Sequence, residues 1–185
     1  MLKKRLLLSL LLISVLLLVS GCRINDIVSN AAAKMKAEGR GHGETLVFGQ
    51  DEVMQTAFFD VKINSAKLVP ELSEYVPDDE ANLFLVVNVT VTDTFADQGK
   101  IPMFYSDFEL TWASLEGATV YAETSFAEGQ LPDEYEIFKN ESKTGDLVYI
   151  VPGNVTDFAI LFYEYWEDDF VGNTCRAEFT AKLVQ

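Results

Sequence analysis

The sequence predicts an all-β fold: an antiparallel β-sandwich of about seven or eight strands behind a leader and a short tether. From residue 44 onward, apolar side chains recur with a period of two, which is the period of a strand with one buried face. The same region has no helical segment long enough for a β-α-β crossover. A barrel is the alternative, because alternation does not fix how the strands close into a fold.

Eight segments account for this pattern, and Gly, Pro, Asn or Asp residues separate most of them. Two of the segments, Leu147–Val151 and Phe158–Tyr165, are apolar on both faces, so we expect them to be central strands. The 22 aromatic residues are enough to fill a two-sheet core without disulfides. The segments are Glu44–Phe48, Phe59–Ile63, Leu83–Thr92, Phe108–Trp112, Thr119–Ala122, Leu147–Val151, Phe158–Tyr165 and Cys175–Leu183.

Residues 1–21 have the order of a signal peptide. Three basic residues at positions 3–5 precede an apolar run of 14 residues, Leu6–Val19, which is short for a membrane-spanning helix. The run ends in Val19-Ser20-Gly21-Cys22, which resembles the lipobox of bacterial lipoproteins. That resemblance implies cleavage before Cys22 and attachment of diacylglycerol to its sulfur, so that membrane lipid is the first partner. An ordinary secretory signal with a chance cysteine, or a retained anchor, is the alternative.

Residues 22–43 are interpreted as a lipidated, flexible tether. They carry four bases and two acids, whereas residues 44–185 carry 27 acids and seven bases, a net charge of −20. Near an anionic leaflet the tether is attracted and the domain repelled. Apolar residues at three- and four-residue spacing would allow a short helix, and a partly disordered spacer is an equal alternative. His42 lies in a glycine-rich stretch and is read as neither catalyst nor ligand.

Charge and composition exclude several function classes. A net charge of −20 opposes nucleic-acid binding, which needs clustered Lys and Arg. Because the chain has only one histidine and two cysteines, zinc clusters and His-based catalytic triads are nearly excluded. With Cys22 lipidated, Cys175 has no disulfide partner, and its place on the apolar face of a strand predicts a small buried hydrophobe. Trp112 is likewise read as core, and no cofactor is expected.

Three motifs of the domain carry a family resemblance: the strand Leu83–Thr94, Ser106-Asp107-Phe108-Glu109-Leu110, and the segment Gly145–Pro152. Their sequence and order resemble a family of telokin-like, immunoglobulin-like domains of unknown function on bacterial surface lipoproteins. The resemblance covers roughly residues 55–183, implies an extracytoplasmic immunoglobulin-like sandwich, and brings no catalytic residues. An acidic insertion, Glu123–Glu136, and the loop Tyr165–Asn173 depart from it.

Three acidic clusters lie in or beside predicted loops: Pro77–Glu80, Pro132–Glu136 and Tyr163–Phe170. Carboxylates at this density could hold calcium, but none has the spacing of a dedicated calcium loop, so metal binding is left open and a solvated acidic edge is favoured. The third cluster combines aromatic rings with carboxylates, which suits a cation or a basic peptide. We therefore name Tyr165, Trp166, Glu167, Asp168 and Asp169 as a candidate partner-contact loop. The alternative is that these aromatics complete the core while the acids face water.

The sequence thus predicts a lipoprotein on the extracytoplasmic face of the cell membrane, serving as a non-catalytic binding or protein-interaction module for a protein or cationic ligand. A structural or accessory subunit of an envelope assembly is the alternative, and would expose the two-faced apolar strands. A carboxylate-based glycoside hydrolase is the enzyme alternative, because that reaction needs only two carboxylates at a fixed separation.

Overall fold

The computed structural model describes residues 43–95, 99–165 and 171–184. In these ranges the chain forms strands and two short 3-10 turns, Tyr105–Asp107 and Ala113–Leu115. The strands are β1 (Thr45–Phe48), β2 (Val53–Gln55), β3 (Phe59–Val69), β4 (Asn82–Asp93), β5 (Lys100–Phe104), β6 (Glu109–Thr111), β7 (Glu134–Phe138), β8 (Ser142–Pro152), β9 (Asp157–Tyr165), β10 (Val171–Thr180) and β11 (Lys182–Leu183). No helix in the described ranges is long and apolar enough to cross a membrane.

Two sheets form the sandwich. Sheet A has the strand order β1-β10-β9-β6, and sheet B has the order β11-β3-β4-β8 with β2 paired to β3. A separate two-stranded ribbon joins β5 and β7. The predicted all-β sandwich is therefore confirmed.

The strand pattern differs from the prediction in three respects. The last predicted strand divides after Thr180, so that β10 belongs to sheet A and β11 crosses to sheet B. The pairs β1–β10 and β11–β3 are parallel, whereas every other strand pair is antiparallel in the described residues. The segment 119–122 contributes only an isolated bridge, Val120 to Leu110, in place of a strand. Three short strands, β2, β5 and β7, were not predicted, because three to five residues display little alternation.

Alternating residues of both sheets form one core between them. The inner face of β4 contributes Leu85, Val87, Val89 and Val91, all fully buried. Aromatic rings from sheet A form the opposite side of the core, where Phe158 stacks on Phe179 with ring centroids 5.9 Å apart. Trp112 meets Phe158 edge-on and is 8% exposed, which confirms the prediction that it belongs to the core.

A hydrogen bond inside this core joins the two sheets. The Tyr149 hydroxyl, on β8, donates to the Phe108 carbonyl just before β6, at 3.0 Å. Tyr149 is fully buried, and burial raises the pKa of its hydroxyl far above the usual value. The hydroxyl therefore remains a proton donor, and it fixes β8 against the start of β6.

Only one of the two strands predicted to be central is flanked by strands on both sides. β9 lies between β10 and β6. β8 pairs with only one strand, β4, at the edge of sheet B, so the prediction is wrong for β8. Its other edge is covered by the predicted acidic insertion, since Glu123 donates to the Val148 carbonyl and Leu131 to the Asp146 carbonyl. The insertion is therefore a packed cover that supplies the edge with backbone partners, and its last residues begin β7.

The outer face of β8 is apolar because this cover also shields it. Phe84, Val86 and Val148 form a second small cluster, and Phe126 of the cover packs on it with its ring 5.8 Å from that of Phe84. Val148 is almost completely buried as a result. The described chain thus buries by itself most of the two-faced strands that an assembly subunit was expected to expose.

Candidate functional site

The sequence-predicted site residues fall in two groups. Tyr165 ends β9 and is the one member of the candidate loop that the structure describes. Trp166, Glu167, Asp168 and Asp169 lie outside the described residues, as do Cys22 and the rest of the leader and tether up to residue 42.

Tyr165 belongs to a cluster of three tyrosines, which we call the tyrosine surface: Tyr121, Tyr163 and Tyr165. The rings of Tyr163 and Tyr165 stack with centroids 6.2 Å apart, and Tyr121 and Tyr165 are 55% and 62% exposed. Residues 163 and 165 share the outer face of sheet A because strand side chains alternate. Glu109 of β6 lies near enough to act electrostatically on Tyr163.

Burial and the neighbouring Glu109, Tyr165 and Tyr121 all raise the pKa of Tyr163. The tyrosine surface therefore combines π faces with negative charge, which attracts a cation placed over a ring. The alternative, that these aromatics complete the core, is wrong for Tyr165, whose ring is largely in solvent.

Below this surface, a buried carboxylate holds the stems of the candidate loop. Glu164 points into the sandwich and is 1% exposed. Its Oε1 accepts a hydrogen bond from the Ala57 amide, in the turn between β2 and β3 of sheet B, at 2.8 Å. Its Oε2 accepts one from the Asn173 amide of β10 at 2.9 Å. The expectation that this acidic cluster faces water is therefore wrong for Glu164, whose carboxylate joins the two sheets.

The same carboxylate contacts the buried cysteine. The Cys175 Sγ lies 3.7 Å from Glu164 Oε1 and 3.7 Å from the Gln55 carbonyl oxygen. Cys175 is fully buried, which confirms its predicted place in the core. A carboxylate lies beside the thiol, but a reactive cysteine also requires access from solvent.

The described chain begins at this end of the sandwich. The Gly43 amide donates to the Gly172 carbonyl at 3.0 Å, and the Glu44 amide donates to Asn173 Oδ1 at 3.1 Å. The tether therefore joins the domain beside β10, next to the stem of the candidate loop. Thr45 and Tyr163 both pair with Thr174, so they lie two strand spacings apart, about 10 Å.

A groove of about 610 Å³ crosses the same outer face of sheet A toward its opposite end. Leu161 of β9 lines it from this face, Phe158 of the core also contributes to the lining, and the turn after Trp112 forms one wall. Polar side chains line the rest, among them Asp157, Arg176, Glu178 and Thr180.

These polar groups are held by one another. Arg176 Nε donates to Glu178 Oε1 at 2.8 Å, and the Thr180 hydroxyl donates to Asp157 Oδ1 at 2.8 Å. The groove thus carries one guanidinium and two carboxylates, with no large net charge.

The other two acidic clusters are solvated, as favoured from the sequence. Asp78, Asp79 and Glu80 are exposed, and so are Asp133, Glu134 and Glu136, whereas Tyr135 between them is buried. Within the described ranges, no group of three His, Cys, Asp or Glu side chains could hold a metal ion.

Sequence reasoning missed the groove and the role of Glu164. Alternation does place Asp157, Leu161, Tyr163 and Tyr165 on one face of β9. However, only the register of β9 with β10 and β6 brings this row beside Arg176 and Glu109, and one sequence does not fix register.

No protein-family model matches this chain, and no curated protein is significantly similar to it. Among solved structures, a candidate lipoprotein of Bacillus subtilis (ycdA) is similar in fold, with a TM-score of 0.53 and 17% sequence identity. The similarity covers 69% of this chain and 38% of the other, so the chain spans well under half the length of that protein.

Two further solved structures are similar over most of their length. The secreted protein MPT63 of Mycobacterium tuberculosis has a TM-score of 0.49 at 14% identity, covering 72% of this chain and 98% of the other. An uncharacterized β-sandwich protein of Clostridium difficile has a TM-score of 0.43 at 11% identity, covering 74% of this chain and 97% of the other. By its own strands, this chain is an all-β sandwich protein, and it shares its fold with the B. subtilis protein.

Proposed function

We propose that this protein is a lipid-anchored, non-catalytic binding module on the extracytoplasmic face of the cell membrane, and that its tyrosine surface contacts a cationic ligand or a basic segment of a partner protein. The observation that carries the proposal is the exposure of Tyr121 and Tyr165 beside the carboxylate of Glu109. The telokin-like subtype stays a prediction.

The chemistry of the surface supports a cationic ligand. An ammonium or guanidinium group over an exposed tyrosine contributes roughly 0.5–1 kcal/mol. The net charge of −20 on residues 44–185 adds long-range attraction for a basic partner. The tyrosine surface lies at the sheet end where Gly43 enters, so the chain joins the domain beside the contact surface.

Anchoring is supported by the sequence, in which Cys22 follows a leader of the lipoprotein type. Two acyl chains on one sulfur would give stable membrane attachment, which a single chain does not provide. This part of the proposal is tested by metabolic labelling with a radioactive fatty acid, followed by membrane fractionation. We expect Cys22→Ser to lose both the label and the membrane association, while Cys175→Ala, the matched cysteine variant, retains both. A Cys22→Ser chain that stays labelled would contradict lipidation at this residue.

Binding is tested on the full chain with a synthetic arginine-rich decapeptide as the probe. We expect Tyr121→Ser combined with Tyr165→Ser to weaken binding by about 5- to 30-fold, because two cation–π contacts are lost. Tyr105→Ser is the matched control, since Tyr105 is exposed in the 3-10 turn after β5, where its amide donates to the Asp133 carbonyl. We expect that control to bind like the wild type.

Two results would overturn the tyrosine surface as the binding site. One is unchanged affinity in the double variant. The other is equal weakening by the Tyr105→Ser control, which would indicate attraction to the overall charge alone. Thermal unfolding of each variant separates a loss of contact from a loss of fold.

A further inference from the structure

The groove on sheet A has the dimensions and the position of a second binding site, separate from the tyrosine surface. Its volume of about 610 Å³ falls within the usual range for small-molecule sites. It lies near Thr180 and Asp157, whereas the tether enters near Gly172 at the other end of β10. From residue 172 to 178, a strand advances about 20 Å, so the groove lies about that far from the point of attachment.

The lining of the groove includes apolar side chains that are firmly held. Trp112, Phe158 and Leu161 line it, with only 3–8% of each exposed. Phe158 is fixed between the rings of Trp112 and Phe179. These side chains are already ordered in the core, so a ligand that contacts their exposed edges would cause little further ordering.

The walls of the groove carry both hydrogen-bond donors and hydrogen-bond acceptors. Arg176 uses its Nε for Glu178, and its two Nη groups make no hydrogen bond within the described part of the chain. Glu178 and Asp157 each accept from a side chain at the groove wall, and an ionised carboxylate has further acceptor positions. Thr180 and Gln50 add a hydroxyl and an amide.

This combination matches a ligand rich in hydroxyl groups. One sugar hydroxyl can donate to Glu178 while it accepts from Arg176, and a second can donate to Asp157. The C–H groups of the sugar ring can contact the exposed edges of the apolar side chains. One guanidinium against two carboxylates leaves little net charge for selecting a strongly charged ligand. We infer that the groove binds a short neutral oligosaccharide.

The two tryptophans make this inference testable in the full chain. Trp112 lines the groove, whereas Trp166 belongs to the candidate loop. Each indole N–H gives its own signal in a nitrogen-15 NMR spectrum, and Trp166→Phe assigns the pair. The protein is purified in a detergent without a sugar headgroup and titrated with maltotriose, cellotriose, mannotriose and N,N′-diacetylchitobiose.

We expect at least one of these saccharides to shift the Trp112 signal saturably, with a Kd of about 1 mM or tighter, while the Trp166 signal stays in place. Arg176→Met and Asp157→Asn should each weaken binding about tenfold or more, because a hydrogen bond to a charged group is lost. Asp157→Asn retains an acceptor for Thr180, and unchanged backbone signals confirm that each variant is folded. Asp78→Asn, an exposed carboxylate on another loop, should bind like the wild type.

The inference is overturned if none of the four saccharides shifts the Trp112 signal at about 10 mM, tenfold above that Kd. It is also overturned if binding persists unchanged in the folded Arg176→Met and Asp157→Asn variants. The arginine-rich decapeptide, in contrast, tests the tyrosine surface and should leave the Trp112 signal in place, so the two proposals can fail separately.

Discussion

Removing the Glu164 carboxylate should destabilise the whole sandwich, because this one side chain holds both sheets at the end where the tether enters. It accepts the Ala57 amide at 2.8 Å and the Asn173 amide at 2.9 Å, and it is 1% exposed. A hydrogen bond to a charged group contributes about 1.5–3 kcal/mol. We therefore expect Glu164→Ala to lower the free energy of unfolding by about 3–6 kcal/mol, a large fraction of the 5–15 kcal/mol typical of a domain.

Glu164→Gln separates the two contacts. The glutamine amide has one acceptor oxygen, so it can keep one of the two amide donors while its NH₂ group faces the other. We expect a loss of about 1.5–3 kcal/mol, near half that of the alanine variant. Urea denaturation followed by circular dichroism measures both values. Glu80→Gln is the matched control, because Glu80 is exposed in a turn and should change stability by less than about 0.5 kcal/mol.

The outcome that would refute this reasoning is a loss below about 1 kcal/mol for Glu164→Ala, since two buried amides would then have lost their acceptor at almost no cost. Equal losses in Glu164→Gln and Glu164→Ala would also contradict it, because the two amide contacts would not then contribute separately.

Three further predictions concern buried polar groups and the cover over β8. Burial raises the pKa of Asp107 above its usual value, so the unfolded state loses this proton first, and stability falls as the pH rises from about 4, the usual pKa of an aspartate, to the raised pKa. Urea denaturation over this acidic range should show a smaller fall in Asp107→Asn than in the wild type. Tyr149→Phe removes the bond to the Phe108 carbonyl and should cost about 1–3 kcal/mol. Tyr149→Phe should also reduce the loss of stability above about pH 10, where a tyrosine in the unfolded chain ionises. The same loss of stability above that pH in the variant and the wild type would contradict this. Phe126→Ala uncovers the outer cluster and should cost about 1–3 kcal/mol in urea denaturation, and full stability in this variant would show that the cover does not support β8.

The long strands could be predicted from the sequence because their inward-facing apolar residues recur with a period of two. In β4, Leu85, Val87 and Val89 are buried as the period of two requires, and Cys175 and Ala177 follow the same rule in β10. Such patterns depend on local side-chain order alone. The parallel pairing of β1 and the change of sheet after Thr180 depend on contacts between distant segments, which alternation does not encode.

The candidate site could be predicted only in part, for the same physical reason. The mixture of rings and acids around Tyr165 is visible in the sequence, and Tyr165 is 62% exposed. Glu164 lies one residue earlier in the same acidic run, yet it turns inward because adjacent strand residues face opposite sides. Its partners, Ala57 and Asn173, come from two other segments, so no local pattern could reveal them.

The most direct test of the binding-surface proposal is photo-crosslinking in intact cells. A photoreactive phenylalanine analogue replaces Tyr165 in one strain and Tyr105 in another, both exposed positions. We expect irradiation to give a discrete higher-mass adduct from position 165 and none from position 105. No adduct from position 165, or the same adduct from both positions, would contradict a specific partner at the tyrosine surface.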